Sequence, residues 1–280
     1  MTESTDKYKS AYEELKRLID TAFRIAINIQ YKEVETRDLE AASRLFAKII
    51  SHSRAILVLA PKAPAQVQAP EQELWDLSSM ATLCRSLVDS YYVLFYIAVD
   101  EVDDSTKEFR WILWDYHSES RKLKKLQLIG PASPAVAEIE RNVSKLKNDL
   151  TNHQFFKSLD LSVQKRLKKP AEGILSTNSE LSVSAGIDGD YYKNAFMFLS
   201  SYVHSHPFSI EQLTDFRAGE DDSLNLLKVV IEHSSIYLSL TLRDFVKLVP
   251  EVANDIEEDT QRTIDIWCGV VEDFSKFKQA

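Results

Sequence analysis

The sequence predicts an all-α protein: a bundle of seven or eight helices around one central apolar helix at about 71–99. Three observations carry that expectation. The 280 residues include only 6 Gly and 8 Pro, far fewer turn residues than a chain of short strands needs. Apolar side chains recur at three- and four-residue steps in one segment after another. The stretch EQELWDLSSMATLCRSLVDSYYVLFYIAV, Glu71–Val99, runs 29 residues without Gly or Pro, and from Leu83 on it is apolar on almost every side. A helix of that kind is one that others enclose.

Ser4 or Thr5 starts a first helix, whose stripe is Tyr8, Ala11, Tyr12, Leu15, Leu18, Ile19, Ala22, Ala26 and Ile29. Thr36 caps a second, running to about Leu59, and the short polar link at Tyr31–Glu35 pairs the two antiparallel. The segment PKAPAQVQAP, Pro61–Pro70, ends that helix and leads into the apolar one. Ser105-Thr-Lys-Glu108 is a capping-box pattern opening a helix through Leu128, which Gly130-Pro131 closes. Ser133-Pro134 restarts a helix to Phe156, and Leu159–Lys168 extends it. From Pro170 to Asp190 the periodicity fades, leaving a loop or lid with a short strand conceivable at Leu181, Val183 and Ala185. Tyr191–His204 is again helical and stops before Pro207; a loop at Phe208–Gly219 precedes a helix from Asp222 to Val249. A last helix starts at Pro250, with Glu251, Asp255, Glu257, Glu258 and Asp259 in its first turns, where the helix dipole favours them. The organisation expected is a single domain over 1–280: an N-terminal hairpin, 1–60, packed on a 71–280 core, with loops at 61–70 and 170–190.

Composition narrows the class. The longest apolar run, Tyr91–Val99, is too short for the ~20 residues that cross a bilayer. The first ten residues, MTESTDKYKS, lack the apolar core of a signal peptide. Cys84 and Cys268 sit inside helical patterns, far apart, and read as buried free thiols. A soluble, cytoplasmic protein is expected. The net charge of −9 is unevenly placed: 105–170 holds 14 Lys and Arg against 7 Asp and Glu, so the remainder carries −16. Such a basic region could face an anionic ligand or RNA, or it could be the solvated faces of ordinary helices. Clusters at Arg121-Lys-Leu-Lys-Lys125 and Lys165-Arg-Leu-Lys-Lys169 could contact phosphates if the fold made them adjacent.

Several chemistries lack their signatures. No Walker loop, GxGxxG, GxSxG, CxxC or HExxH occurs, and no His follows a Glu by three as in di-iron bundles. Neither metal nor cofactor is expected. The candidate residues form three constellations. Arg85 and Asp89 lie on a polar stripe of the apolar helix with Ser78, Thr82 and Ser86; a charged stripe on a buried helix must find partners, either a structural ion network or an anion held by the Arg85 fork. Arg110 and His117 stand two turns apart on one face, with Arg121 a turn further. Ser201 and His204 close the Tyr191–His204 helix, where with Ser200 they could face Arg85 and Asp89, or where His204 and His206 could merely cap and pack.

Two resemblances rest on these residues. Arg110 and His117, with six residues between them, resemble the Arg–His motif of HEPN domains, helical modules many of which are metal-independent ribonucleases. That likeness implies His117 as general base on a ribose 2′-hydroxyl and Arg110 as phosphate binder. The helix motif Arg85-Ser-Leu-Val-Asp89 with the later Ser201-Tyr-Val-His204 resembles a bacterial family of helical proteins known only as a domain of unknown function, over roughly Glu71–Pro207. It implies one shared polar cluster and no reaction. The leading expectation is therefore a binding or regulatory module whose pocket, built from Arg85, Asp89, His117, Arg121, Ser201 and His204, takes an anionic or small polar ligand. The alternatives are a HEPN-like ribonuclease using Arg110 and His117, or a structural or protein-interaction module. A homo-oligomer is compatible with each.

Overall fold

The structure, a computed structural model, describes residues 2–30, 36–62, 64, 73–130 and 134–274. Among them every regular element is a helix, so the fold is all-α. The links expected at Tyr31–Glu35 and over most of Pro61–Pro70, the start of the apolar stretch at Glu71, and the Ser133 cap lie outside the described residues.

Local chemistry sets the helix boundaries. α1 (Glu3–Ile29) starts where the Thr2 hydroxyl accepts from the Thr5 amide, just ahead of the expected start at Ser4 or Thr5. α2 (Arg37–Leu59) begins after Thr36, whose hydroxyl accepts from Leu39 N as foreseen. α3 (Leu77–Leu94) is capped by Asp76 and then widens into a π-helical turn, Phe95–Val99. α4 (Asp104–Ile129) is capped by Asp103, which accepts from both the amide and the hydroxyl of Thr106; this replaces the expected capping box at Ser105 and Glu108. A carboxylate already placed one turn upstream serves the free amides first. α5 (Pro134–Asn152), α6 (Gln154–Ser158) and α7 (Leu161–Leu167) follow.

Two expected loops contain helices. α8 (Asn178–Ser184) lies inside the 170–190 stretch, where the sequence left a strand conceivable. It ends in a Schellman motif: Gly186 at φ 74°, with Ile187 N donating to Ser182 O and Gly186 N to Val183 O. The glycine that suggested a loop is the C-cap of a helix. α9 (Gly189–Val203) leads through Ser205, at φ 50°, into α10 (Pro207–Thr214), with Pro207 as its first residue. α11 (Asp221–Leu248) comes next. The last expected helix is two pieces, a 3₁₀ segment Pro250–Asp255 and α12 (Glu258–Glu272).

The chain divides into two compact units, residues 1–99 with 178–280, and residues 100–177. In the larger unit α11 packs against α1, α2, α3 and α12, while α3 packs against α2, α8 and α9 as well. Every residue from Ser234 to Leu242 is buried, so α11 shares the interior with α3. Among the buried small polar residues of α11, Ser234 and Thr241 return their hydroxyls to the carbonyls four residues back, while the Ser235 and Ser239 hydroxyls have no partner among the described residues. The buried Asp244 carboxylate accepts from Tyr91 Oη at 3.0 Å and pairs with Arg243 Nε at 3.0 Å and Lys247 Nζ at 2.9 Å. The smaller unit has its own core of Phe109, Leu113, Tyr116, Leu150, Phe156 and Leu167. Cys84 and Cys268 are free and buried. No helix among the described residues is long and apolar enough to cross a membrane.

Candidate functional site

The polar stripe of α3 finds its partners within the larger unit. The Arg85 guanidinium pairs with Asp89, donates from Nε to Ser200 Oγ at 3.3 Å and stands 4.3 Å above the centre of the Phe196 ring. Asp89 also accepts from Asn178 Nδ2 at 2.8 Å, and Ser86 Oγ meets His52 Nε2 at 3.2 Å. Arg85 is thereby engaged by α3 and α9, and α8 joins the cluster through Asn178 on Asp89. This arrangement does what a clasp between helices does: it satisfies a mostly buried cation with a carboxylate, a hydroxyl and an aromatic face.

Of Ser200 and Ser201, both expected to be able to face Arg85, Ser200 is the serine bonded to it. Ser201 returns its hydroxyl to Met197 O at 2.7 Å, and its carbonyl accepts from Ser209 Oγ and His206 N. His204 is exposed at the end of α9, its ring stacked on His206 with centroids 5.6 Å apart. His117 and Arg121 belong to the 100–177 unit, so the six residues expected to form one pocket divide between the two units.

Arg110 is also in the smaller unit, almost fully buried and paired with Asp100 at 2.5 Å. Its charge is answered within the protein. The ribonuclease-like pair therefore has an arginine committed to Asp100 at the base of α4 and a histidine two turns away.

His117 stands on the wall of a groove of about 760 Å³ in the smaller unit, with Trp114, Ser118, Arg121, Leu126 and Ile174 among its lining. Lys122, Lys125 and Ile129 extend that rim along α4. The helix builds it by period alone: Phe109, Leu113, Tyr116 and Ser120 face inward, and the neighbouring face presents Trp114, Ser118, Arg121 and Lys125 at three- and four-residue steps. The opposite wall is the turn after α7. Tyr116 Oη donates to Lys168 O at 3.0 Å, while Arg166 pairs with Glu172 and donates to Leu175 O at 3.2 Å. This fixes Gly173 and Ile174 against the His117 ring.

Burial holds the His117 imidazole below its ordinary pKa; the Arg121 charge acts the same way, and the Pro170 carbonyl opposes both. Its Nδ1 is buried with no hydrogen-bond partner among the described residues. Lys122 leans on Glu119 at 3.6 Å, whereas Arg121 and Lys125 make no ion pair among the described residues. The groove can thus offer positive charge above an apolar floor. No group of three or more His, Cys, Asp or Glu among the described residues is arranged to hold a metal ion.

Trp114, Gly173 and Ile174 escaped the sequence reading. Trp114 and Arg121 are two turns apart, a signal present in the sequence; Gly173 and Ile174 reach the groove only through folding of the α7 turn. Comparison with known proteins adds the family. A family model described as "Family of unknown function (DUF5677)" matches residues 39–222, which includes both the Arg85–Asp89 helix and the Ser201–His204 segment. No curated protein and no solved structure matches the chain.

Proposed function

The chain belongs to the DUF5677 family, and on that premise we propose that it is a binding module whose 100–177 unit takes an organic anion with an apolar body. The observation that carries this reading is the groove itself. Its volume of about 760 Å³ falls in the range of small-molecule sites, and Trp114, Leu126, Ile129 and Ile174 give it an apolar floor. Arg121, Lys122 and Lys125 supply the charge, and His117 adds an imidazole at the wall. Ile129 is exposed at the rim, so a ligand body lying in the groove would cover it. The Arg85–Asp89 cluster acts in this reading as a structural clasp.

The test is a titration with 8-anilinonaphthalene-1-sulfonate, an aromatic body carrying one fixed anion. One saturable site per chain is expected in wild type. Affinity should fall about tenfold or more in Trp114→Ala and in Lys122→Glu/Lys125→Glu, each change removing a contact worth about 1–3 kcal/mol. Affinity unchanged in both variants would overturn the reading.

A further inference from the structure

We propose that the groove's ligand is an alkyl phosphomonoester, its hydrocarbon body in the groove and its phosphate in an adjoining cleft lined by Ser120, Arg121, Lys124 and Lys169. The inference rests on the binding reading above and names the ligand class. The second cleft, about 260 Å³, is closed by Pro170 and Ala171 and shares Arg121 with the groove. The two clefts therefore share one guanidinium, whose fork can hold two oxygens of the same phosphate.

Three features favour a dianionic head there. First, the small cleft brings the two basic clusters of the sequence together: Arg121 and Lys124 come from α4, and Lys169 from the turn after α7. None of the three makes an ion pair among the described residues, and no acid lines the cleft. Like charges gathered without a counter-ion repel, and a bound dianion converts that repulsion into attraction.

Second, Ser120 is 91 % buried in relative terms, since only 9 % of it is exposed, yet its hydroxyl has no partner among the described residues. Ser53, Ser90 and Ser234 return theirs to the carbonyl four residues back, and the other unpartnered buried serines, Ser235 and Ser239, lie on α11, whereas Ser120 lines a cleft with three cations. Ser120 keeps a donor in reserve beside the cations. Third, the cleft is small for a whole organic ligand but roomy for an oxyanion head.

The body is assigned by what the groove lacks. Beyond its charged groups, the polar side chains lining it are Ser118, His117 and the indole N–H of Trp114, and none of them is an amide or carboxylate that could answer a base edge with paired donor and acceptor. A nucleobase needs a set of donors and acceptors to answer its edges. An aliphatic chain needs only the apolar surface that Trp114, Leu126, Ile129, Ile174 and the lysine stems provide.

The experiment compares octyl phosphate with octanol, inorganic phosphate and adenosine monophosphate, all as monomers, by calorimetry on the full chain. Octyl phosphate should bind at least about a hundredfold tighter than octanol, as expected for two or more charge-assisted contacts. Lys124→Gln/Lys169→Gln, which removes charge without placing carboxylates beside Arg121, should lose most of that preference while binding 8-anilinonaphthalene-1-sulfonate within about threefold of wild type, because these lysines line the small cleft alone. Ser120→Ala, a small change that keeps the helix, should weaken octyl phosphate by about tenfold through the lost hydroxyl.

Sedimentation with phosphatidylcholine vesicles containing phosphatidic acid separates the sources. Vesicle capture marks a lipid headgroup; binding of octyl phosphate without capture marks a soluble ester; either supports the proposal. Anilinonaphthalene sulfonate binding with octyl phosphate no tighter than octanol would overturn the phosphate cleft and leave the groove reading standing. Adenosine monophosphate binding as tightly as octyl phosphate would overturn the assignment of the body. Failure of the sulfonate probe itself would sink the groove reading first.

Discussion

The His117 ring lies against the backbone of Gly173, so closely that a Cβ at position 173 would stand 3.1 Å from His117 Cγ. That contact is tighter than packed carbons normally allow, so any side chain there must push the imidazole or the turn. Gly173→Ala should shift the His117 ring resonances in NMR and weaken the sulfonate probe several-fold, with a stability loss of no more than ~1–2 kcal/mol. Unmoved ring resonances would mean that the turn yields instead of the histidine, and that His117 is not held by it.

His117 also sets a pH dependence. Its imidazole is held below its ordinary pKa by burial and by Arg121, with Lys122 and Lys125 nearby on the same helix. A bound anion favours the imidazolium, so binding takes up a proton. Affinity for a sulfonate, whose own charge is fixed, should rise as pH falls below about 6.5, and His117→Gln should flatten that rise. A flat wild-type profile from pH 7.5 to 5 would show that His117 does not sense the ligand.

Stability should fall in acid for a different reason. His233 is half-buried, with Tyr191 Oη 2.8 Å from its Nδ1, and desolvation of the ring lowers its pKa to about 4. Between that value and the ~6.5 of an unfolded histidine, the unfolded chain binds a proton that the folded one refuses. The loss therefore begins as pH drops through ~6.5, grows toward pH 4 to the order of 3 kcal/mol, and then stops growing. His52 and His117 are lowered too and act in the same direction. Urea midpoints in His233→Gln should show a shallower decline than wild type; parallel curves would rule His233 out as its source.

Two ion networks should differ in cost. Asp244 is completely enclosed and answers Tyr91, Arg243 and Lys247 at once, so Asp244→Ala should destabilise by ~3–5 kcal/mol. Arg85 pairs with a carboxylate whose side chain is 49 % exposed, so Arg85→Ala should cost less, about 1–3 kcal/mol, mostly from the Phe196 and Ser200 contacts. Denaturant unfolding of both variants checks the order. If Arg85→Ala proved the costlier change, the clasp would be more central than its exposure implies.

What the sequence made legible is what local chemistry determines. Thr36 before α2 and Pro134 opening α5 were readable because a hydroxyl or a fixed φ acts on its own neighbours. The apolar stripe of α1 was readable because its period is a property of the helix alone. The choice between Ser200 and Ser201 was not: adjacent residues differ by about 100° around a helix, and the roll of α9 that faces Ser200 to Arg85 comes from tertiary packing. α8 was hidden because its stop signal, Gly186, reads equally well as a loop residue. Nor could any pattern show that Lys169 would share a cleft with Lys124, which lies 45 positions earlier: tertiary packing, with Leu167 in the core beside Phe109, Leu113 and Tyr116 and the Tyr116–Lys168 bond, brings the α7 turn back onto α4.

The smaller unit is one unbroken length of chain, 100–177, whereas the larger one is made from the chain on both sides of it. On the ribosome this imposes a schedule. The groove-bearing unit has all of its residues in hand once position 177 has emerged, while α3 must wait for α9 and α11 before its apolar faces are covered. The N-terminal helices thus spend the interval with exposed hydrophobic surface, and it is there, rather than at the groove, that substitutions should act on yield during synthesis.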